Sequence, residues 1–540
     1  MEKPMNSFVF SILFLYFFAK YSYSLPLSTK SRWVVDALTG DRVKLKCVNW
    51  PAHLKPMLAE GLDKQPLNRI VEHVTLLGFN CVRLTWATHM FTRYSTKTVM
   101  QSFRDLNLTK AIKGIEKNNP RVLNLTVVDA FSVVVDVIGS YGVMVVLDNH
   151  VSEPMWCCGN NDGNGFFGDK YFNPREWRRG LSIVGKRYTN TRMVVAMSLR
   201  NELRGPRQNV TEWYRWVRKG ARSVNLANCN VLVIISSLHY SIDFTPLKTK
   251  PLGLDRTLPN KIVYETHRYS FTAGQRNQWL HQPLNQVCDN VIRGINNKAG
   301  FLTIGSSPAP LFITEFGVDL RGGARADNLF LTCYMAYLAE MDLDWALWAL
   351  QGSYYLREGV QNMDEVFGLL DNNWAGLRNP GFNSRLNLIH QTLQDPKSRS
   401  WNYTFLHHPL TGRCVKSNDM NQIYADECYG LTGWSHAGDG TPIQLSSTPW
   451  CLMVVGEGLP VKLTTNCYAK QSRWKSIQNS RFQFVSEYEN GVDLCLDLSP
   501  SDSSMILSKK CICVGDDASG CLKNPQSQWF QFLYTNSRYF

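Results

Sequence analysis

Eight short apolar runs rich in β-branched residues recur along the first two thirds of the chain. Each is the length of a strand buried on both faces, and stretches long enough for a helix separate them. The pattern therefore predicts eight parallel strands that alternate with helices. The runs are residues 43–49, 80–86, 143–150, 193–202, 231–236, 262–267, 311–315 and 344–350.

Helices are expected between these strands, for example at residues 127–139, 211–225 and 326–340. Eight alternations favour a closed (β/α)8 TIM barrel, an α/β fold, over an open doubly wound sheet. The glycine-rich phosphate turn typical of the open sheet does not occur in the sequence.

The pattern changes near residue 410 to short strands, loops and regularly spaced cysteines. Three half-similar units run over residues 414–428, 451–467 and 495–511, and each begins and ends with a cysteine. Repetition with so little helical periodicity predicts a threefold all-β domain. Residues 371–407 are interpreted as the last barrel helix and a linker, so the expected domains are 30–400 and 405–537.

The N-terminus has the layout of a secretory signal peptide. Lys3 precedes an apolar run at residues 8–18, and small or polar residues follow around Ser22 and Ser24. A membrane anchor is the alternative, but about a dozen apolar residues fall short of the roughly 20 needed to span a bilayer. We therefore expect residues 1–24 to be removed and the protein to be secreted, extracellular or in the cell wall, with no membrane association afterwards.

Composition supports a secreted protein of two globular domains. The chain has 540 residues, too many for one core, and 44% of them are hydrophobic. Its formal net charge of +14 is spread along the chain and not clustered with aromatic residues. We therefore expect no nucleic-acid partner, and attraction to acidic wall polysaccharide explains the charge better.

Sequons and cysteines point to the same compartment. Four Asn-x-Ser/Thr sites occur, at Asn107, Asn124, Asn209 and Asn402, which predicts a glycoprotein. Fifteen cysteines, eight of them after residue 410, indicate disulfide bonds. The odd total leaves at least one thiol unpaired or intermolecular. A staple between Cys513 and Cys521 is open, as is the pairing of the neighbours Cys157 and Cys158.

Polar or aromatic residues stand at the ends of seven predicted strands, where barrel enzymes build their active sites. They are Asn49, Arg83, His150, Glu202, His267, Glu315 and Trp348. Glycoside hydrolysis needs two carboxyl groups beside the anomeric carbon, and Glu202 and Glu315 are the candidates. The alternative for either glutamate alone is a buried salt bridge with an arginine. No metal is expected, because no third ligand at suitable spacing accompanies His150 and His267, and no cofactor is expected.

The segments Asn201-Glu202 and Thr314-Glu315-Phe316-Gly317 resemble glycoside hydrolase family 5, within the clan of barrel glycosidases. The resemblance covers roughly residues 30–400. It implies that Glu202 is the acid/base and Glu315 the nucleophile. It further implies substrate-site roles for Arg83, His150, Asn201, His267, Tyr269 and Trp348. Among these, Asn201 would bind the sugar 2-hydroxyl, Arg83 and Tyr269 would support Glu315, the two histidines would line the substrate and acid side, and Trp348 would form the sugar platform.

The long loop at residues 151–171 contains Trp156, for which sugar stacking and loop packing are both open.

The C-terminal units resemble the ricin-type β-trefoil lectin. Ser527-Gln528-Trp529 lies where that family carries its Gln-x-Trp signature, so Ser527 stands where glutamine is expected. The resemblance implies a β-trefoil, with carbohydrate binding and a purely structural role both open.

The sequence thus predicts a retaining endo-β-1,4-glycosidase that acts on wall glucan or mannan. Two alternatives stay open, a catalytically silent glycan-binding protein and a transglycosylase with the same residues.

Overall fold

The computed structural model describes residues 25–399, 403–418, 420–477, 481–513 and 521–537. The predicted signal peptide at residues 1–24 and the sequon residue Asn402 lie outside the described residues. Asn107, Asn124 and Asn209 are exposed, as glycan acceptors need to be. Within the described ranges, no helix is long and apolar enough to cross a membrane.

Eight parallel strands close into a barrel, which confirms the predicted TIM-barrel class. A hairpin of β1 (Leu27–Lys30) and β2 (Trp33–Asp36) precedes it. Hydrogen bonding runs in chain order and closes between the last strand and the first. The barrel strands are β3 (Lys46–Trp50), β4 (Cys81–Ala87), β5 (Met144–Val151), β6 (Val194–Ser198), β7 (Leu232–Ser236), β8 (Ile262–Arg268), β9 (Leu311–Phe316) and β10 (Asp344–Leu347).

Helices fill the connections, and the three named from the sequence are found within a residue or two of their predicted ends. Thr126 caps one of them by accepting a hydrogen bond from the backbone N–H of Asp129. The helices are α1 (Leu67–Leu76), α2 (Thr88–Thr92), α3 (Val99–Asp105), α4 (Thr109–Asn118), α5 (Val127–Ser140), α6 (Pro174–Arg187), α7 (Val210–Ala227), α8 (Arg276–His281), α9 (Leu284–Lys298), α10 (Arg325–Met341) and α11 (Phe382–His390). Two four-residue helical segments, Leu238–Ser241 and Pro246–Thr249, lie between β7 and β8.

Alternation along the strands gives the barrel interior an apolar floor and a polar upper layer. Val263, Glu265 and His267 follow one another at every second position of β8, and side chains at that spacing share a face. Val263 packs with Cys47, Val146 and other apolar residues in one buried cluster. The polar members therefore lie towards the carboxyl ends of the strands, where the candidate residues converge.

A hairpin of β11 (Ser353–Arg357) and β12 (Val360–Asp364) follows the last barrel strand. The C-terminal region is all-β and entirely antiparallel, in a four-stranded and a larger sheet. Its strands are β13 (Tyr403–His408), β14 (Arg413–Ser417), β15 (Ile423–Asp426), β16 (Trp434–His436), β17 (Thr441–Leu445), β18 (Cys451–Met453), β19 (Lys462–Thr464), β20 (Arg473–Ser476), β21 (Phe484–Tyr488), β22 (Val492–Leu498), β23 (Ile506–Lys510) and β24 (Gln531–Thr535).

The three cysteine units share one core, and in the third unit the core residue is one position later than expected from the sequence. Trp434 donates its indole N–H to the carbonyl of Val415, and Trp474 donates to that of Leu452. Each of these acceptor residues directly follows the first cysteine of its unit. In the third unit Phe530, not Trp529, joins this core. Gln528, and not the expected Ser527, therefore stands two residues before the core position of the third unit.

Seven disulfides join fourteen of the fifteen cysteines. Each C-terminal unit closes on itself, and Cys513 pairs with Cys521. In the barrel, Cys47 pairs with Cys81 and Cys288 with Cys333. The neighbours Cys157 and Cys158 pair with each other. Cys229 is the free cysteine of the described chain, and it is exposed.

The C-terminal region packs on barrel helices α9 and α10 through buried polar groups. Trp529 donates to the Asn285 Oδ1 atom at 3.0 Å, and Asn285 Nδ2 donates to Gln483 Oε1 at 2.7 Å. Gln526 Nε2 donates to the carbonyl of Leu329. These groups are fully paired, so the two regions form a specific contact.

Candidate active site

A cleft of about 680 Å³ opens at the carboxyl ends of the barrel strands. Its walls come from the long loop between β5 and α6, the segment after β8, and the β11–β12 hairpin with residues 365–367. Among the predicted residues, His150, Glu202, His267, Tyr269, Glu315 and Trp348 line it. Arg83 and Asn201 are fully buried and do not line it.

Glu315 accepts a hydrogen bond on each carboxylate oxygen. Arg83 Nη1 donates to Oε1 at 2.8 Å, and Tyr269 Oη donates to Oε2 at 2.9 Å. Burial raises the pKa of Glu315 above its ordinary value, while His267 and Arg83 act in the opposite direction. The donors on both oxygens stabilise the ionised form.

Glu202 lies beyond the end of β6 and has a different environment. Its Oε1 atom is 2.8 Å from His267 Nδ1, and burial raises its pKa to about 7 against the opposing effect of Arg204 and Arg83. Burial lowers the pKa of His267 to about 4, so that ring is neutral near pH 6. Glu202 also has a left-handed backbone, with φ of 40°, which is rare outside glycine and is concentrated at functional sites.

The two glutamates lie close together. One carboxylate oxygen of Glu202, one of Glu315 and a ring nitrogen of His267 all lie within 4.8 Å of one another. The second ring nitrogen of His267 is 2.9 Å from Thr314 Oγ1, which fixes the ring between β8 and β9.

Arg83 holds the polar layer together beneath the cleft. Besides Glu315 it reaches Asn49 Oδ1 at 2.8 Å, Asn201 Oδ1 at 2.9 Å and the Asp148 carboxylate at 2.9 Å. Burial alone would lower its pKa, but the surrounding carboxylates, Asp148 first among them, outweigh burial and raise it. A permanent cation therefore lies below the nucleophile candidate.

His150 and Asn201 bond to each other beneath the cleft wall. His150 Nδ1 is 2.6 Å from Asp148 Oδ2, and Asn201 Nδ2 donates to His150 Nε2 at 3.3 Å. The same amide is 3.7 Å and 3.5 Å from the sulfurs of Cys157 and Cys158. The amide of Asn201 is thus already occupied by protein partners.

Aromatic rings form the remaining walls. Trp348 stacks on His150, with ring centres 5.6 Å apart. Trp156 lies 6.4 Å from Trp348, and the Arg357 guanidinium covers its ring at 3.5 Å. On the other side, Tyr269 stacks on Phe271.

Several polar residues of this site were not among the predicted ones. Asp148 anchors both Arg83 and His150. Glu265 is buried, receives a hydrogen bond from Ser198, and burial raises its pKa to about 8. Both lie two positions before a predicted histidine, so strand alternation would have found them.

Among the described residues, two sets of side chains bring possible metal-ligand atoms together. In the first, His150 with Cys157 and Cys158, both sulfurs are consumed by a disulfide and offer no thiolate. In the second, Glu202, His267 and Glu315, the Arg83 cation already occupies Glu315. The donor sets therefore suit acid–base chemistry better than a resident metal.

Family comparisons place the chain beside glycosidases. The family described as Cellulase (glycosyl hydrolase family 5) matches residues 48–353. A protein described as a glycosyl hydrolase 5 family protein of Chamaecyparis obtusa is 43% identical over 541 residues, which cover 97% of this chain and 96% of that one.

Solved structures share the barrel fold at low sequence identity. The catalytic domain of the major endoglucanase of Xanthomonas campestris pv. campestris has a TM-score of 0.55 at 19% identity, covering 67% of this chain and 99% of that one. A cellotetraose complex of the Pyrococcus horikoshii endocellulase has a TM-score of 0.54 at 16% identity, covering 68% of this chain and 100% of that one.

Proposed function

Because the chain belongs to glycosyl hydrolase family 5, the cellulase family, we propose that it is a secreted retaining β-glycosidase. It hydrolyses O-glycosidic bonds of a β-linked wall polysaccharide by double displacement. Glu315 is the nucleophile and Glu202 the acid/base.

The observation that carries this proposal is the short separation of the two carboxyl groups. Oxygens of Glu202 and Glu315 lie within 4.8 Å of each other. Retaining glycosidases hold their carboxyl groups about 5–5.5 Å apart, whereas inverting enzymes leave about 6.5–9.5 Å for a water molecule. A closest oxygen–oxygen approach this short fits the retaining arrangement, so direct attack by a carboxylate is favoured.

The division of roles follows from the partners of each glutamate. Glu315 receives Arg83 and Tyr269 on its two oxygens and therefore holds a negative charge more easily. Glu202 has a neutral histidine as its nearest partner and a pKa raised to about 7, so it carries a proton at mildly acidic pH. A protonated group can assist the leaving oxygen, and an ionised one can attack.

In the first step, Glu315 bonds to the anomeric carbon while Glu202 transfers its proton to the glycosidic oxygen, and the leaving sugar departs as an alcohol. In the second, Glu202, now ionised, takes a proton from water as the water oxygen attacks the anomeric carbon. The bond to Glu315 breaks, and both glutamates return to their starting states.

The supporting residues divide into cleft and buried groups. Trp348 provides a ring beside the glutamates, and His150 and His267 line the substrate and acid side. Arg83 acts through Glu315. Asn201 as the partner of the sugar 2-hydroxyl requires its amide to leave His150 or the disulfide sulfurs when substrate binds.

A β-1,4-glucan is the first candidate substrate. An endocellulase with the same fold, from Pyrococcus horikoshii, forms a complex with cellotetraose, and the aromatic walls here suit a chain of neutral sugars. Mannan is the second candidate. A transglycosylase would use the same residues with a sugar hydroxyl in place of water, and a silent glycan-binding protein would have no need of both glutamates.

Secretion is supported by the seven disulfides, which persist in oxidising compartments, and by the three exposed sequons. For residues 405–537 we propose a ricin-type β-trefoil, supported by the three equivalent core positions. Gln528 Nε2 donates to Asp497 Oδ2 at 3.0 Å, as a pocket glutamine would, but Asp497 is only 2% exposed. A glycan ligand of this domain therefore requires that carboxylate to become accessible.

The test is hydrolysis of soluble β-glucans, mannans, xylans and aryl β-glycosides by the secreted wild type and by Glu315→Gln. We expect cleavage of at least one substrate with retention at the anomeric carbon, read by ¹H NMR, and its loss in the variant. Binding without cleavage by the wild type would replace the proposal with the silent-binder alternative, and an inverted product would exclude the double displacement.

A further inference from the structure

A disulfide between two adjacent residues, Cys157 and Cys158, lies in the wall of the cleft. It belongs to the long loop between β5 and α6, and the proposed chemistry assigns it no task. A staple that only closed a loop would gain nothing from joining neighbours in the sequence, because the closed loop contains almost no chain. The position of the sulfurs is therefore the feature that needs a reason.

The sulfurs contact Asn201, the residue before the proposed acid/base. They are 3.7 Å and 3.5 Å from the amide nitrogen of Asn201, the residue before Glu202. They also lie within 4.8 Å of a ring nitrogen of His150. Both cysteines and Glu202 line the same cleft, so a sugar held for protonation passes close to the disulfide.

The wall around the disulfide has little hydrogen-bonding capacity. Both nitrogens of His150 are engaged, one with Asp148 and one with Asn201, so the ring presents carbon and π surface. Trp348 stacks on that ring. A disulfide has no proton to donate, and its sulfurs are weak acceptors. Charged groups of the cleft lie around the two glutamates and along the hairpin segment with Arg357, Asp364 and Glu365.

We propose that the Cys157–Cys158 disulfide is a sugar-contact surface, against which the C–H face of a β-linked pyranose packs beside Glu202 and Trp348. A pyranose ring presents C–H groups on its faces and hydroxyls at its rim, and polarisable sulfur packs well against apolar surface. The disulfide also keeps this surface uncharged, because neither sulfur can ionise. The proposal rests on the proposed function, since it assigns a contact for the same substrate.

The experiment measures oligosaccharide binding without turnover. In a Glu315→Gln background, calorimetry gives Kd values for cellotetraose and mannotetraose, with and without Cys157→Ala/Cys158→Ala. The matched control is Cys288→Ala/Cys333→Ala, which removes the disulfide between helices α9 and α10, away from the cleft. Losing about 50 Å² of apolar contact predicts a Kd that is on the order of 10-fold weaker. We expect that loss in the cleft variant and less than about 3-fold in the control.

Three results would overturn the proposal. If the Cys157→Ala/Cys158→Ala variant binds both sugars as tightly as its parent, the sugar contact is excluded, and the proposed hydrolysis is unaffected. If the Glu315→Gln parent binds neither sugar and the wild type cleaves no substrate, the sugar contact and the proposed hydrolysis are both excluded. Finally, a crystal structure of the parent with the bound sugar should place ring carbons within about 4.5 Å of a sulfur, the ordinary contact limit. If affinity falls but the ring lies farther away, the disulfide only shapes the loop.

Discussion

The hydroxyl of Tyr269 offers a sharp test of how the proposed nucleophile stays ionised. Its Oη atom donates to Glu315 Oε2 at 2.9 Å, and burial holds the pKa of Tyr269 well above its ordinary value, so the donor keeps its proton at any working pH. Tyr269→Phe removes this one hydrogen bond and preserves the ring that stacks on Phe271. The Arg83 contact stays in place.

The expected magnitude follows from the strength of a hydrogen bond to a charged group, about 1.5–3 kcal/mol. One pKa unit corresponds to about 1.4 kcal/mol, so losing the donor should raise the pKa of Glu315 by about 1–2 units. Glu315 must be ionised to attack. The acid limb of kcat/KM therefore moves to higher pH by that amount, while the alkaline limb, set by Glu202, stays where it is.

The assay is the pH dependence of kcat/KM on an aryl β-glycoside or whichever soluble glycan the enzyme cleaves, since these profiles report the free enzyme's acid and base. Tyr240→Phe is the matched control, because Tyr240 lines the same cleft and its hydroxyl donates to Asn160 Oδ1, not to Glu315. Both limbs should be unchanged there. An unshifted acid limb in Tyr269→Phe would refute the role of this hydroxyl, whatever happens to the plateau rate.

Three further predictions concern the wild type, the buried cation and the contact between domains. Wild-type activity should fall as the pH rises through about 7, where Glu202 loses its proton; a plateau extending two units higher would contradict the acid role. Arg83→Met should lower the free energy of unfolding by about 3–5 kcal/mol in denaturant titrations, because carboxylates are left buried without their cation; a loss below about 1 kcal/mol would contradict it. Trp529→Ala should lower the free energy of unfolding by about 3–5 kcal/mol, because it leaves a cavity beside Asn285. Thermal unfolding measures this loss, and an unchanged midpoint would contradict the packed interface.

The barrel was predictable because each strand is buried on both faces and leaves a continuous apolar run. Strand ends were less accurate where polar residues extend the run. The fourth predicted strand reached residue 202, whereas β6 ends at Ser198. The residues between make loop contacts, with Arg200 donating to the Asn164 carbonyl. This break in the strand places Glu202 in its left-handed conformation over the cleft.

The buried partners could not be read from the sequence in the same way. Strand alternation marks Asp148 and Glu265 as inward-facing, but their role depends on Arg83, which comes from another strand. The covering of Asn201 depends on the loop between β5 and α6, which has no hydrophobic periodicity to predict its path. These contacts join residues that are far apart in the sequence, so they become visible only once the barrel has closed.

In the third C-terminal unit, two adjacent residues divide the contacts that a single tryptophan makes in the other units. Trp434 and Trp474 find acceptors for their indole N–H groups inside their own core. Trp529 instead donates its indole N–H to Asn285 on the barrel. Phe530, whose side chain has no N–H group, lies in the core. Aligning the sequence on tryptophan therefore selects the residue that serves the interface. Gln528 is bonded to Asp497 and Asp497 is buried, so the proposed glycan ligand would require this carboxylate to become accessible.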